Sequence, residues 1–92
     1  MSDIQYFNST ATLSEVSVHG NTVYLAGQVP DDDSLDITGQ SQQVLANIDK
    51  MLALAGTDKS RMLSVQVFIK DLADFPAFNA VWGQWVADIT PP

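Results

Sequence analysis

The chain has 92 residues, 46% hydrophobic and 16% charged. That allows one small domain, residues 1–92, burying roughly 60% of its unfolded surface. Four Lys/Arg against eleven Asp/Glu give a net charge of −7, the wrong sign for nucleic acid or an anionic membrane surface. With no cysteine and a single histidine, disulfides, thiolate zinc sites, cysteine nucleophiles and multi-histidine metal centres are excluded.

The charged share lies below the usual value of about 25%, which points to surface covered by a partner chain. Met1-Ser2-Asp3 lacks the basic and apolar regions of a leader, and no apolar run approaches about 18 residues. The expected setting is therefore soluble and cytoplasmic.

The first ten residues read as mixed and polar, with Ile4, Tyr6 and Phe7 as their apolar content. From Glu15 the pattern alternates, Val16 and Val18 on one face and Glu15, Ser17 and His19 on the other, which predicts a short strand. Gly20-Asn21 is a turn pair that tolerates positive φ. Thr22 to Ala26 predicts the second arm of a hairpin. Pro30 removes a ladder donor and ends that arm. Asp31-Asp32-Asp33 then forms a polar loop whose charge suits the positive end of a following helix.

Thr38 to Ala55 predicts the clearest helix. Val44, Leu45, Ile48, Met51, Leu52 and Ala55 form one apolar stripe, and Gly56 stands at the expected C′ position. Leu63, Val65, Val67 and Ile69 alternate with Ser64, Gln66, Phe68 and Lys70, the strongest strand signal in the chain. Phe68 on the otherwise polar face implies that this face is covered too. Asp74 as N-cap and Pro76 in the first turn open a second amphipathic helix. Its stripe is Phe75, Phe78, Val81, Trp82, Trp85 and Val86, and Pro91-Pro92 stops it. The coarse order is β-β-α-β-α, an α+β domain with helices on one face of a mixed sheet. Three strands are few to cover two such helices.

The residues alone offer little chemistry. His19 beside Gly20 reads as a solvated turn histidine before it reads as a base. Asp31-Asp32-Asp33 lacks the spaced ligands of a calcium loop. Gly27-Gln28 at a strand end can present backbone N–H groups to an anion, or can simply relieve a bend. Trp82 and Trp85 favour core or subunit contact over a ligand platform. Asn79, read as half-buried at the edge of the second stripe, can orient a ligand carbonyl or merely bond backbone. Arg61 and Lys70 are anion-binding candidates in positions where solvated residues are the default.

Three segments resemble the reactive intermediate deaminase (Rid, or YjgF-like) family. Asn21-Thr22-Val23-Tyr24-Leu25-Ala26-Gly27-Gln28-Val29-Pro30 resembles its second strand, which ends in S/A-G-Q-x-P. Gln40-Ser41-Gln42-Gln43-Val44-Leu45-Ala46-Asn47-Ile48 resembles its first helix. Val67-Phe68-Ile69-Lys70-Asp71-Leu72-Ala73-Asp74-Phe75, with Asn79, is the best match. The resemblance implies a chorismate-mutase-like α+β fold in a homotrimer with ligand clefts between subunits. It implies hydrolysis of reactive enamines and imines, such as 2-aminoacrylate and 2-iminopropanoate, to a 2-oxo acid and ammonia, with no metal or organic cofactor.

Carried over residue by residue, Gly27 matches the strand-end glycine and Asn79 the helix asparagine, both ligand-binding. The family's tyrosine has no counterpart in Thr12-Leu13-Ser14-Glu15. Its carboxylate-binding arginine would fall just past Pro92 and its glutamate on a later strand, so the catalytic residues are unassigned and the chain is expected to be incomplete at its C-terminus. Arg61 does not inherit the arginine's role. The alternatives are a non-catalytic trimer that binds a small metabolite, such as a 2-imino or 2-oxo acid, and a purely structural trimer.

Overall fold

A computed structural model of the chain describes residues 3–92. Three antiparallel strands form one sheet in the order β1-β2-β3: Ile4–Ser9, Ser14–His19 and Thr22–Leu25. Two helices follow, α1 over Ile37–Leu54 and α2 over Phe75–Trp85. α1 lies against α2 and touches β3.

β2 is the middle strand because both neighbours are local. A two-residue loop joins it to β3, with His19 opposite Thr22. Gly20 is the turn residue with positive φ, 61°, at the first central position, as a type II′ turn demands. On its other side β2 pairs with β1 from Ile4 opposite His19 to Ser9 opposite Ser14. Val16, midway along β2, is fully buried.

β1 corrects the sequence reading, which left the first ten residues without an element. Its alternation is weak because both faces are largely exposed. What makes it a strand is the ladder to β2, a non-local gain that local pattern does not register. The expected hairpin and the α+β class both stand.

α1 follows its predicted span within one residue at each end. Leu45, Met51 and Leu52 of its stripe are buried and, with Val16 and Val86, make the core. The N-cap is Asp36, whose Oδ1 accepts from Gly39 N at 2.8 Å. The Asp31-Asp32-Asp33 run does not serve the helix end, and no acid lies in the first turn. It is tied up in the loop instead. Asp31 Oδ1 accepts from Asn47 Nδ2 at 3.1 Å, and Asp32 Oδ1 accepts from Ser34 N at 3.0 Å. At the other end Gly56 adopts φ 78°. Thr57 N donates to Leu52 O and Gly56 N to Ala53 O, both at 3.0 Å. This is the Schellman pair that a C′ glycine permits.

α2 begins after a 3-10 turn at Leu72–Asp74. Asp74 takes the N-cap position as expected but makes no side-chain cap bond, while Pro76 sits in the first turn. The carboxylate at work here is Asp71, which accepts from Ala73 N at 3.0 Å. The helix ends at Trp85, well before Pro91-Pro92.

The largest departure is the segment from Leu63 to Lys70, predicted as the strongest strand. It joins no ladder. Among the described residues, no backbone group from Leu63 to Lys70 donates or accepts a hydrogen bond. The observed order is therefore β-β-β-α-α where β-β-α-β-α was expected, and the sheet is antiparallel throughout.

The molecule is correspondingly open. Its radius of gyration is 14.1 Å with extents of 46 × 32 × 18 Å, against about 12 Å for a compact domain of this length. No helix among the described residues is long and apolar enough to cross a membrane.

Candidate functional site

α2 presents Phe75, Phe78 and Trp82 along one side because they recur at helical spacing. The segment from Leu63 to Lys70 lies opposite them with Val65, Val67, Phe68 and Ile69. Between the two lies a cleft of about 540 Å³, completed by Leu72, Asn79 and Pro92. That volume suits a small ligand. The aromatic wall is ordered: Phe78 and Trp82 stack with ring centroids 6.3 Å apart, and Trp82 and Trp85 meet at 5.5 Å with a 49° tilt.

Asn79 is the one polar side chain among the residues lining this cleft. It is exposed, where the sequence reading had it half-buried. One turn of helix separates it from Phe75 and from Trp82, so its amide sits at the rim while the aromatics form the wall. An amide there can donate to one ligand oxygen and accept from another group.

Gly27 lies elsewhere, just past β3, and does not line the cleft. It is exposed, and a Cβ built on it would meet nothing within 4 Å. Its neighbourhood is held by Glu15. The Glu15 carbonyl accepts from Ala26 N at 2.9 Å, and its carboxylate accepts from Gln28 Nε2 at 2.7 Å. Gln28 Nε2 also donates to Ala26 O at 3.1 Å. Gly27 and Asn79, the two residues carried over by resemblance, thus belong to different places within one chain.

A second, shallower cleft of about 350 Å³ lies between α1 and α2, lined in part by Asp49, Lys59, Gln84 and Trp85. Asp49 Oδ2 accepts from Trp85 Nε1 at 2.9 Å, tying the helices together. Lys59 Nζ donates to Trp85 O, lies 5.3 Å from the centre of a Trp85 ring and pairs with Asp88 at 3.5 Å. The ammonium is thereby spent on closing the C-terminal end of α2. Asp49 and Lys59 were not singled out in the sequence. They sit on a polar helix face and in a polar connection, and only the arrival of Trp85 gives them work.

The remaining candidates resolve simply. His19, Arg61 and Lys70 are exposed, and none of them lines either cleft. Two carboxyls lie below the ordinary aspartate value of 3.8. Asp32 is lowered chiefly by the Ser34 side chain and then by its backbone N–H. Asp58 is lowered chiefly by the Ser60 side chain, then its backbone N–H, with a further contribution from Arg61. Both are turn carboxylates, and neither faces the apolar cleft. The arrangement can grip an apolar or planar ligand and orient one polar group. The cleft wall carries no acid–base pair among the described residues.

Comparison with known proteins points in one direction. The family model described as Endoribonuclease L-PSP matches residues 4–92. A RutC family protein of Haemophilus ducreyi is 46% identical over 83 residues, spanning 90% of this chain and 71% of the relative. Among solved structures, a member of the YjgF protein family from Neisseria meningitidis has a TM-score of 0.90 at 37% identity, covering 97% of this chain and 75% of that one. A protein of the conserved Rid family from Yersinia pestis has a TM-score of 0.85 at 26% identity, covering 91% of this chain and 71% of that one.

Proposed function

Because the chain belongs to the Endoribonuclease L-PSP family, which takes in the RutC, YjgF and Rid proteins, we propose that it hydrolyses reactive enamines and imines. The substrates are small acids of the 2-aminoacrylate and 2-iminopropanoate type. Water adds across the C=N bond, the C–N bond breaks, and a 2-oxo acid and ammonia leave. The observation that carries this reading is the cleft walled by the Val67–Phe75 segment with Asn79 at its rim, since these residues bear the strongest family resemblance. Gly27, remote from that cleft within one chain, fits a site closed by a neighbouring subunit. The working unit in this reading is a cytoplasmic homotrimer with clefts between subunits.

A second reading, a non-catalytic trimer that binds a small metabolite, is favoured by one specific observation. The residues lining the cleft are Asn79 and apolar side chains, with no titratable group among them. General acid–base catalysis needs such a group within hydrogen-bond reach of the proton it moves. Cleavage of RNA, which the family description names, fits this chain poorly. Four cationic residues against eleven acidic ones cannot neutralise a run of phosphates.

The deciding experiment measures ammonia and 2-oxo acid release from 2-aminoacrylate generated in situ. Hydrolysis faster than the spontaneous rate, reduced by Asn79→Ala, supports the deaminase. A rate equal to the spontaneous one, with a small 2-oxo acid still raising the melting temperature, supports the binding module.

A further inference from the structure

We propose that the side chain of Gln28, set in place by Glu15, is the group that takes the nitrogen of the substrate: its Oε1 accepts from the N–H of an enamine, imine or iminium at the Gly27 corner. The inference rests on the reading of Gly27 as ligand-binding. It deepens the deaminase reading by naming the feature of the substrate that is selected.

The corner is built by one residue of β2. Ala26 continues the register of β3, its N donating to Glu15 O at 2.9 Å. Ala26 therefore stands opposite Glu15. Gln28, two residues on, is the diagonal neighbour on the same face, within reach of a long side chain. The Glu15 carboxylate accepts from Gln28 Nε2 at 2.7 Å, and the same nitrogen donates to Ala26 O at 3.1 Å. A carboxylate and a carbonyl only accept, so the amide sits one way round, with its nitrogen toward both. Both N–H bonds of the amide are thereby used, and what Gln28 offers a ligand is an acceptor. Donation to a charged group polarises the amide toward its oxygen and strengthens that acceptor. Glu15 is half-buried, and every other acid in the chain is aspartate. An aspartate here would be one methylene short of the diagonal.

A second observation comes from β1. By register Asn8 would face Glu15, yet the ladder pairs Phe7 with Val16 and Ser9 with Ser14 and skips that position. Asn8 has φ 54°, the one positive value outside glycine among the described residues. Asparagine adopts this backbone more readily than most residues, but in mid-strand it points to a function. In a regular strand its side chain would share the face of Glu15. Instead its amide donates to Met51 Sδ at 4.0 Å, in the core. The turn at Asn8 thus withdraws the cross-strand amide that would compete with Gln28 for the carboxylate.

The chemistry gives the acceptor its use. Hydrolysis replaces the C=N–H of an imine by C=O, which carries no donor. A corner that only accepts therefore holds the substrate and lets the 2-oxo acid go.

The test uses the 92-residue chain and two stable analogues. 2-Acetamidoacrylate keeps the enamine N–H, and 2-acetoxyacrylate has oxygen in its place. Calorimetric titration should show the first binding about 3- to 10-fold tighter, the worth of one hydrogen bond. Gln28→Met keeps the length without the acceptor and should bind the two equally, with affinity for 2-acetoxyacrylate unchanged. Glu15→Asp should lose most of the preference. Glu15→Gln, which still accepts from Gln28, should keep part of it. Equal affinities in the parent chain, no binding of either analogue, or a preference that survives Gln28→Met overturns the proposal. Ammonia release from 2-aminoacrylate is measured in parallel. Hydrolysis above the spontaneous rate without an N–H preference leaves the deaminase standing and removes this assignment. An N–H preference lost in Gln28→Met, with hydrolysis only at the spontaneous rate, does the reverse.

Discussion

β2 and the segment Leu63–Lys70 carry the same code. Both alternate apolar and polar residues over six to eight positions, and both are rich in β-branched side chains. β2 is paired on both sides and buries Val16 completely. The later segment joins no ladder and exposes Phe68 almost entirely. The difference is one of partners. β2 reaches its neighbours through short loops, so closing each contact costs little chain entropy. The later segment is bounded by the connection after α1 and the turn before α2, and neither flank supplies a strand. Alternation thus specifies which side chains share a face. It does not specify that a ladder exists.

The sharpest way to break this contrast is to truncate matched leucines. Leu45→Ala should cost about 3 kcal/mol, because the side chain is 3% exposed and a cavity remains. Leu63→Ala should stay within about 0.5 kcal/mol at concentrations where the chain is monomeric, because that side chain is already in water. Both are read from urea midpoints with the slope held fixed. A Leu63 effect as large as that of Leu45 would mean that the segment packs within the monomer.

Next in size is Gly56→Ala. The left-handed φ of 78° and the two bonds to Leu52 O and Ala53 O make a side chain costly there, by about 1–2 kcal/mol. Asp36→Ala should follow at about 1 kcal/mol through loss of the cap on Gly39 N, and Asp36→Asn should recover most of it. Asp31→Ala, in the run that looked like the helix-end charge, should lose less. Thermal melts of the three variants rank them directly.

The smallest effect is on pH. Asp32 and Asp58 have carboxyls held below their ordinary value of 3.8, first by the side chains of Ser34 and Ser60. A lowered folded value contributes stability that is fully present above about 3.8 and lost as pH falls through the folded value. The double variant Ser34→Ala with Ser60→Ala should therefore show a shallower decline of melting temperature below pH 4 than the parent. An unchanged acid slope would show that these turns open before they titrate.

Much of the fold was legible because its causes are local. The α1 stripe, the C′ glycine and the Gly20 hairpin are each set by residues a few positions apart. β1 was not legible, since Ile4–Ser9 becomes a strand only by pairing with β2. The loop acids misled for a related reason. Asp31, Asp32 and Asp33 look alike in sequence, yet the carboxylates of Asp31 and Asp32 are placed by the hydrogen bonds available in space, to Asn47 and to Ser34. The site was legible only through resemblance. Asn79 lines the cleft beside α2 and Gly27 does not, and Glu15, Asp49 and Lys59 gave no signal.

By itself, then, the sequence determined the apolar periodicities, the span of α1 to within a residue at each end, the acidic charge and the family. These are properties of short stretches or of composition, and they survive in any tertiary setting. Only the tertiary structure decided which alternating segment found a ladder, which aspartate capped a helix and which side chains shared the cleft. Backbone partners and cavity walls come from residues far apart in the chain, and their pairing is settled by the free energy of the whole fold.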